Sequence, residues 1–325
     1  MSRITVVGAS GYLGGRIALQ LQQEGNEVIG TFRNPPCDPE KKLGTLFDII
    51  PGNITDERFI ERIASTKPRV LVYLVSLNHH AVETNYQQSV NVNIAPLMKL
   101  ARMLADQSGF HRLIYMSTLQ VYGSLSPDKI LRESDRIEPT NMYGWTHAAC
   151  EDGLRLLQNT HHLNSISLRL SNGYGAPAFP SCDCWWLVLN DFCRSAIQNE
   201  RIQLKSNGSP QRDFIHVSDI AGIISEIIKN ESEVPQIMNL ASGETLSMLE
   251  LAHLVSYVFK LDFDRYIPVI YPDGTISKVA GAPDQRLQVS TEALFEIIPS
   301  LRLYPLIDGI REVIQYILNS NLHKT

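Results

Sequence analysis

The sequence predicts an α/β protein built on a doubly wound parallel sheet, with a smaller second lobe toward the C-terminus. Three observations carry that prediction. Short β-branched runs alternate with segments of helical periodicity, and a glycine-rich turn joins the first run to the first helix. After residue 171 the alternation gives way to Gly/Pro/Cys-rich sequence and shorter segments.

Ile4-Thr5-Val6-Val7 reads as a buried strand. Leu13, Ile17 and Leu21 then recur at four-residue spacing with Ala18 beside them, a helix that Gly25 stops. Residues 27–31 form a second strand, 45–50 a weaker third, and 56–65 another helix. The run 70–75 is apolar throughout, as a central parallel strand covered on both faces should be. A helix over 93–105 follows, with Pro96 tolerable in its first turn. Strand 112–116, helix 143–157 and strand 165–170 complete the pattern. The expected division is 1–171 plus about 212–235 for the sheet domain, and about 172–211 with 236–325 for the second lobe.

Composition narrows the partners. With 325 residues, 44% hydrophobic and 19% charged, the chain belongs with folded proteins rather than disordered ones. A net charge of −5 and the lack of any Lys/Arg run give no support to a nucleic-acid or anionic-membrane partner. Ser2 and Arg3 run straight into a strand, and no stretch approaches the ~20 apolar residues of a membrane span. The expectation is a cytoplasmic protein with reduced cysteines, the five being odd in number and irregularly spaced. No metal is expected. Cys182-Asp183-Cys184 lacks the spacer of a zinc knuckle, and the adjacent pairs His79-His80 and His161-His162 read as solvated loop histidines.

Gly8, Gly11 and Gly14 form GxxGxxG between a strand and a helix. There the backbone can approach a pyrophosphate, and the helix N-terminus adds partial positive charge. Gly8, Ser10, Gly11, Tyr12, Leu13 and Gly14 are therefore candidates to hold a dinucleotide, as in a Rossmann sheet. Asn53 and Ile54, past the third strand, are candidates on the same side. A carboxylate ending the second strand would hold a ribose 2′-hydroxyl and repel a 2′-phosphate. Here the segment is Gly30-Thr31-Phe32-Arg33-Asn34, with no carboxylate until Asp38. Thr31 and Arg33 could bond a 2′-phosphate, which favours NADP(H) with NAD(H) as the alternative; a solvated loop Arg is the plainer account of Arg33.

With these motifs in order, the chain resembles the extended short-chain dehydrogenases/reductases that act on nucleotide sugars: epimerases, dehydratases and ketoreductases. The resemblance runs from the glycine turn through Asn93, Ser117-Thr118-Leu119-Gln120-Val121-Tyr122-Gly123 and Tyr143-Gly144. It continues through Ser171-Asn172-Gly173-Tyr174-Gly175 and Arg212-Asp213-Phe214-Ile215-His216-Val217-Ser218-Asp219. It implies that Tyr143 and Thr118 bind the sugar oxygen that changes oxidation state, Tyr143 as acid toward a ketone or base in reverse. It places Asn93 on the cofactor side and Asn172 and Arg212 on the substrate diphosphate, with Arg286 a further phosphate contact, although Gly281 stands where the family often has Arg. Asp219 would orient a loop or cap the next helix, and Trp185 or Trp186 could stack on a base or pack in the core. A homodimer through helices near 93–106 and 143–158 is also implied.

One departure matters. The family pattern is YxxxK, and the fourth residue after Tyr143 is His147. The family's Lys holds the nicotinamide ribose and lowers the tyrosine pKa; a neutral imidazole could still bond a ribose but would stabilise a phenolate less. Three readings stay open: a reductase in which protonated Tyr143 is the required acid, an enzyme using protonated His147, or a binding module without chemistry. Dehydratases of this kind carry Thr-Asp-Glu where this chain has Thr118-Leu119-Gln120, and neither Leu nor Gln transfers a proton. The sequence therefore predicts reduction of a keto group on a nucleotide-activated sugar, with an epimerase as the second reading.

Overall fold

The computed structural model describes residues 2–34, 47–124, 129–232, 234–277 and 286–320. Cys37, Asp38, Gly281 and the first two residues of the expected third strand lie outside them. Seven parallel strands form the main sheet in the order Ile237–Leu240, Ser165–Leu170, Arg112–Thr118, Val70–Tyr73, Arg3–Val7, Glu27–Phe32, Asp48–Pro51. Chain order reverses between Arg3–Val7 and Val70–Tyr73, so the crevice beyond their carboxyl ends is where a doubly wound sheet binds its ligand.

Apolar side chains on both faces of these strands explain the burial. On one face the helix Tyr12–Gln23 packs beside Val217–Lys229, burying Ile17, Leu21, Ile220, Ile224 and Ile227. The helices Glu57–Ser65, Ala95–Ala105 and Met142–His161 cover the other face through Ile63, Leu97, Leu100, Leu104 and Leu154. Arg112, fully buried, donates to the carbonyls of Ile227, Asn230 and Ser232 at 2.6, 2.9 and 2.8 Å. Its charge thereby meets the partial negative end of the helix Val217–Lys229.

Two differences from the sequence expectation have physical causes. Residues 237–240 join the main sheet beside Ser165–Leu170, so a lobe boundary at 236 falls one strand too early. The strand is short and carries a buried polar residue: Asn239 accepts from Tyr122 Oη at 2.7 Å and donates to the Leu131 and Ser290 carbonyls. The helix expected from Asn93 begins earlier, as His79–Thr84, Tyr86–Ser89 and a π-helical turn Val90–Ile94 leading into Ala95–Ala105. No apolar period marks residues 79–89; the side chains of Asn78 and Asn85 cap them by accepting from the Ala81 and Gln88 N–H groups.

The second lobe has its own core, formed by Trp185, Phe192, Leu251, Val255, Phe259, Ile310 and Val313 among others. The Tyr12 hydroxyl donates to the Gly175 carbonyl at 2.9 Å, and Arg16 reaches the Ala176 carbonyl at 3.0 Å and Glu312 at 3.2 Å. The first helix of the sheet is thus tied to the lobe that faces it. Among the described residues no helix is long and apolar enough to cross a membrane.

Candidate active site

The glycine turn is shaped by contact with itself. The Gly11 N–H donates to the Gly8 carbonyl at 3.0 Å, and a Cβ on Gly14 would lie 2.1 Å from that same oxygen. Only glycine lets the helix approach the first strand this closely. Gly11 is the N-cap of Tyr12–Gln23 and has no side chain to cap it, which leaves first-turn N–H groups for an anion.

Two adjoining cavities open at the carboxyl ends of the strands. The first, of about 900 Å³, is lined by Gly8, Ser10, Gly11, Thr31, Arg33, Asn53 and Ile54 together with amide side chains from residues 85–91. Arg33 is exposed on its wall, and no carboxylate lies among the described residues that line it. Thr31 is buried and accepts from the Gly8 N–H at 3.0 Å, joining the second strand to the turn. The second cavity, of about 520 Å³, is lined by Tyr12, Leu13, Gly14, Thr118, Tyr143, His147, Asn172 and Arg212 among others. Gly8, Gly11, Leu74, Ser76 and Leu77 line both, so the cavities share one wall. A glycine turn at one end, a cationic side chain near the second strand and a hydroxyl pair at the other end suit an extended dinucleotide.

Thr118 ends its strand and accepts from the Gln120 N–H at 3.3 Å, keeping its own hydrogen for a ligand. Asn141 caps the helix Met142–His161 by accepting from Gly144 N–H at 2.7 Å, and it donates to Gln120 at 3.1 Å. A Cβ on Gly144 would meet the Gln120 carbonyl at 2.5 Å, so the helix start and the Thr118 turn are locked together. Tyr143 and Thr118 face one cavity for that reason. Behind Thr118, buried Ser117 donates to Glu151 at 2.5 Å, and Arg169 clamps Glu151 with contacts of 2.7 and 3.1 Å.

His147 shares the Tyr143 face, their ring centroids 4.6 Å apart, but it turns inward. Its Nδ1 lies 2.8 Å from the Tyr115 hydroxyl and its Nε2 3.3 Å from Ser76 Oγ. Burial pushes the imidazole pKa down to about 4 and the Tyr143 phenol up to about 12. Burial disfavours a protonated His147 near neutrality: the residue is 3% exposed, and among the described residues its ring nitrogens meet hydroxyl groups and not a carboxylate.

Other expectations need correction. Asn93 lines neither cavity; it is buried, its Oδ1 accepting from Leu77 N–H at 2.9 Å and its Nδ2 donating to Thr146 at 3.1 Å. It supports the cleft wall from behind. Arg286 also lines neither cavity, because Glu250 and the Thr245 carbonyl hold its guanidinium at 2.6 and 2.7 Å. Of the two roles expected of Asp219, the helix cap falls to His216, while the loop role holds: Asp219 accepts from the Tyr304 N–H in the loop before the last helix. Trp185 packs in the second-lobe core, whereas Trp186 is exposed on the second cavity. Asn172 and Arg212 do line that cavity; Asn172 donates to the Asp213 carbonyl at 2.9 Å, and Arg212 is exposed. His79, read from sequence as a solvated loop residue, opens a short helix on this cavity, 6.3 Å from the Tyr143 ring.

The profile of the family described as NAD dependent epimerase/dehydratase matches residues 4–241. A trifunctional UDP-glucose 4,6-dehydratase/UDP-4-keto-6-deoxy-D-glucose 3,5-epimerase/UDP-4-keto-L-rhamnose-reductase of Arabidopsis thaliana is 22% identical over 309 residues, covering 90% of this chain. This chain spans only 44% of that longer protein. A dTDP-D-glucose 4,6-dehydratase of Bos taurus is 25% identical over 264 residues, 77% of this chain and 71% of that one. Among solved structures, the UDP-glucose 4-epimerase of Thermotoga maritima with UDP-glucose superposes with a TM-score of 0.82 at 19% identity, covering 98% of this chain and 99% of that one. At that identity the likeness is one of fold.

Proposed function

Since this chain belongs to the NAD dependent epimerase/dehydratase family, we propose that it is an NADP(H)-linked oxidoreductase that reduces a keto group on a nucleotide-activated sugar. The carrying observation is that Tyr143 and Thr118 line one cavity beside the glycine turn, with buried His147, and not a lysine, packed against the phenol. Near neutrality the Tyr143 phenol carries its proton, and burial makes that proton harder to remove by a base step; the carbonyl oxygen of a ketone is what needs a donor. Thr118, its hydroxyl hydrogen uncommitted, holds the same oxygen. A bound nicotinamide supplies the hydride. The residues to hold it are Gly8, Ser10, Gly11, Tyr12, Leu13 and Gly14 at the turn, with Thr31, Arg33, Asn53 and Ile54 at the adenosine end. Arg33, on a wall whose described residues include no carboxylate, supports the 2′-phosphate form. Asn172 and Arg212 take the substrate diphosphate, with Arg212 offering a planar fork to its oxygens.

An epimerase is the second reading, favoured by the family and by the same Tyr143–Thr118 pair. Dehydration is not proposed: Leu119 is buried in an apolar cluster, and Gln120 is engaged by Asn141. We also propose a homodimer through the helix Met142–His161, where Trp145 and Leu156 are 38% and 61% exposed.

The test is calorimetric titration with NADPH, then of the NADPH-loaded protein with UDP, GDP, CDP and dTDP, followed by turnover of the matching 4-keto sugar nucleotide. Micromolar binding of one diphosphate, lost in Arg212→Ala, with NADPH oxidation abolished in Tyr143→Phe, supports reduction. Binding of NADPH with no diphosphate would leave a cofactor-binding module; sugar interconversion without net NADPH consumption would leave the epimerase.

A further inference from the structure

We propose that Ser76 is the residue through which this chain meets a ribose hydroxyl of its nicotinamide cofactor, and that His147 and Tyr115 are positioning residues for it. This rests on the dinucleotide reading of the cleft. His147 sits where a long cation would reach the ligand directly, yet the ring is only 3% exposed and both nitrogens are engaged within the protein. It has no free donor or acceptor to offer. Its Nδ1 meets the buried Tyr115 hydroxyl at 2.8 Å, which fixes the ring, and its Nε2 meets Ser76 Oγ at 3.3 Å.

Ser76 is the member of this series that reaches the shared wall of the two cavities. Its hydroxyl also donates to the Leu77 carbonyl at 3.0 Å, and Asn93 in turn holds the Leu77 N–H at 2.9 Å. A hydroxyl has one hydrogen and two lone pairs. With the hydrogen on Leu77 and one lone pair on His147, a lone pair is left for a ligand hydroxyl to donate into. The series Tyr115, His147, Ser76 thus replaces one long charged side chain by a neutral relay of short ones. The relay orients an acceptor rather than delivering charge.

The experiment measures NADPH affinity by fluorescence, without substrate, for wild type, Ser76→Ala, Ser76→Thr, Tyr115→Phe and the double variant Ser76→Ala/Tyr115→Phe. Loss of one such hydrogen bond corresponds to about five- to tenfold weaker binding in Ser76→Ala. Ser76→Thr, which keeps the hydroxyl, should restore wild-type affinity. Tyr115→Phe should weaken binding by about two- to threefold, and the double variant should be no worse than Ser76→Ala alone, the non-additivity expected of groups acting in series. Unchanged affinity in Ser76→Ala, or losses that multiply in the double variant, would overturn the relay while wild-type binding preserves the cofactor reading. Wild-type protein that is folded but binds neither NADPH nor NADH would overturn both.

Discussion

Replacing His147 by Gln should flatten the acid limb of the stability profile. The imidazole is buried, and burial alone pushes its pKa down to about 4. Above the ordinary histidine value of about 6.5 the ring is neutral in both the folded and unfolded chain, so its contribution is fully present. Below that value the unfolded chain takes up a proton that the folded one refuses, and stability falls until pH reaches about 4. The gap from about 6.5 to about 4, at about 1.4 kcal/mol per pH unit, amounts to about 3 kcal/mol, of which about 2 is lost between pH 7 and pH 5. Gln keeps an amide near Ser76 and Tyr115 but does not titrate. Urea unfolding at pH 7, 6, 5 and 4.5, on both proteins, should therefore show the wild type losing about 2 kcal/mol more than the variant by pH 5. Parallel curves, or an imidazole titrating near 6.5 by NMR, would refute the burial argument and reopen a protonated His147.

Three other outcomes follow from the same geometry. Gly14→Ala places a Cβ 2.1 Å from the Gly8 carbonyl, a backbone contact that cannot yield, so calorimetry should find no dinucleotide binding and a stability loss of at least ~2 kcal/mol. Arg169→Leu strands the buried Glu151 carboxylate and should cost about 3–5 kcal/mol in denaturant unfolding, while the double change Arg169→Leu/Glu151→Leu recovers much of it. Arg33→Ala should weaken NADPH about tenfold or more and leave NADH nearly unchanged; equal effects on both would remove the case for the 2′-phosphate.

How much of the molecule was legible in the sequence depends on whether a feature leaves a periodic or a local trace. The strand Val70–Tyr73 and the glycine turn were legible because an unbroken apolar run and a GxxGxxG spacing are local patterns. The strand Ile237–Leu240 was not, because a buried Asn at its third position breaks the apolar run that marks an interior strand. Tyr143 and Thr118 were found through a motif, and the fold brings them to one cavity. Arg286 was carried over by the same route and lies in an ion pair with Glu250 instead. Asn93 stands in the right part of the fold but not in the expected role, since its amide holds the wall of the cleft and not its content. Ser76, Tyr115 and Asn141 leave no trace in the sequence, since their contacts span 21 to 71 residues of chain and none lies in a spacing that suggests chemistry.

The choice between donor and base at Tyr143 can be weighed from these environments. Removing a proton from a phenol held near 12 costs about 7 kcal/mol at pH 7, at about 1.4 kcal/mol per pH unit. An epimerase meets that cost in its first step, with only the positive charge of an oxidised cofactor to offset it, because His147 is neutral and its ring nitrogens face Tyr115 and Ser76. A reductase meets no such cost, since the phenol already carries the proton that the forming alkoxide takes. At any single pH the reaction equilibrium ties the two directions together, so the discriminating quantity is the shape of each pH profile. With a phenol near 12, kcat/KM for reduction should stay level to about pH 10, while that for sugar oxidation climbs about tenfold per pH unit through neutrality. His147→Lys puts a cation beside the phenol and lowers its pKa, so oxidation should level off, and reduction begin to fall, at a lower pH than in wild type. If wild-type oxidation is already level near pH 7, Tyr143 works as a base there and the epimerase reading displaces the reductase. If the climb continues past pH 9 and the Lys variant levels off earlier, the neutral histidine is what keeps the phenol a donor.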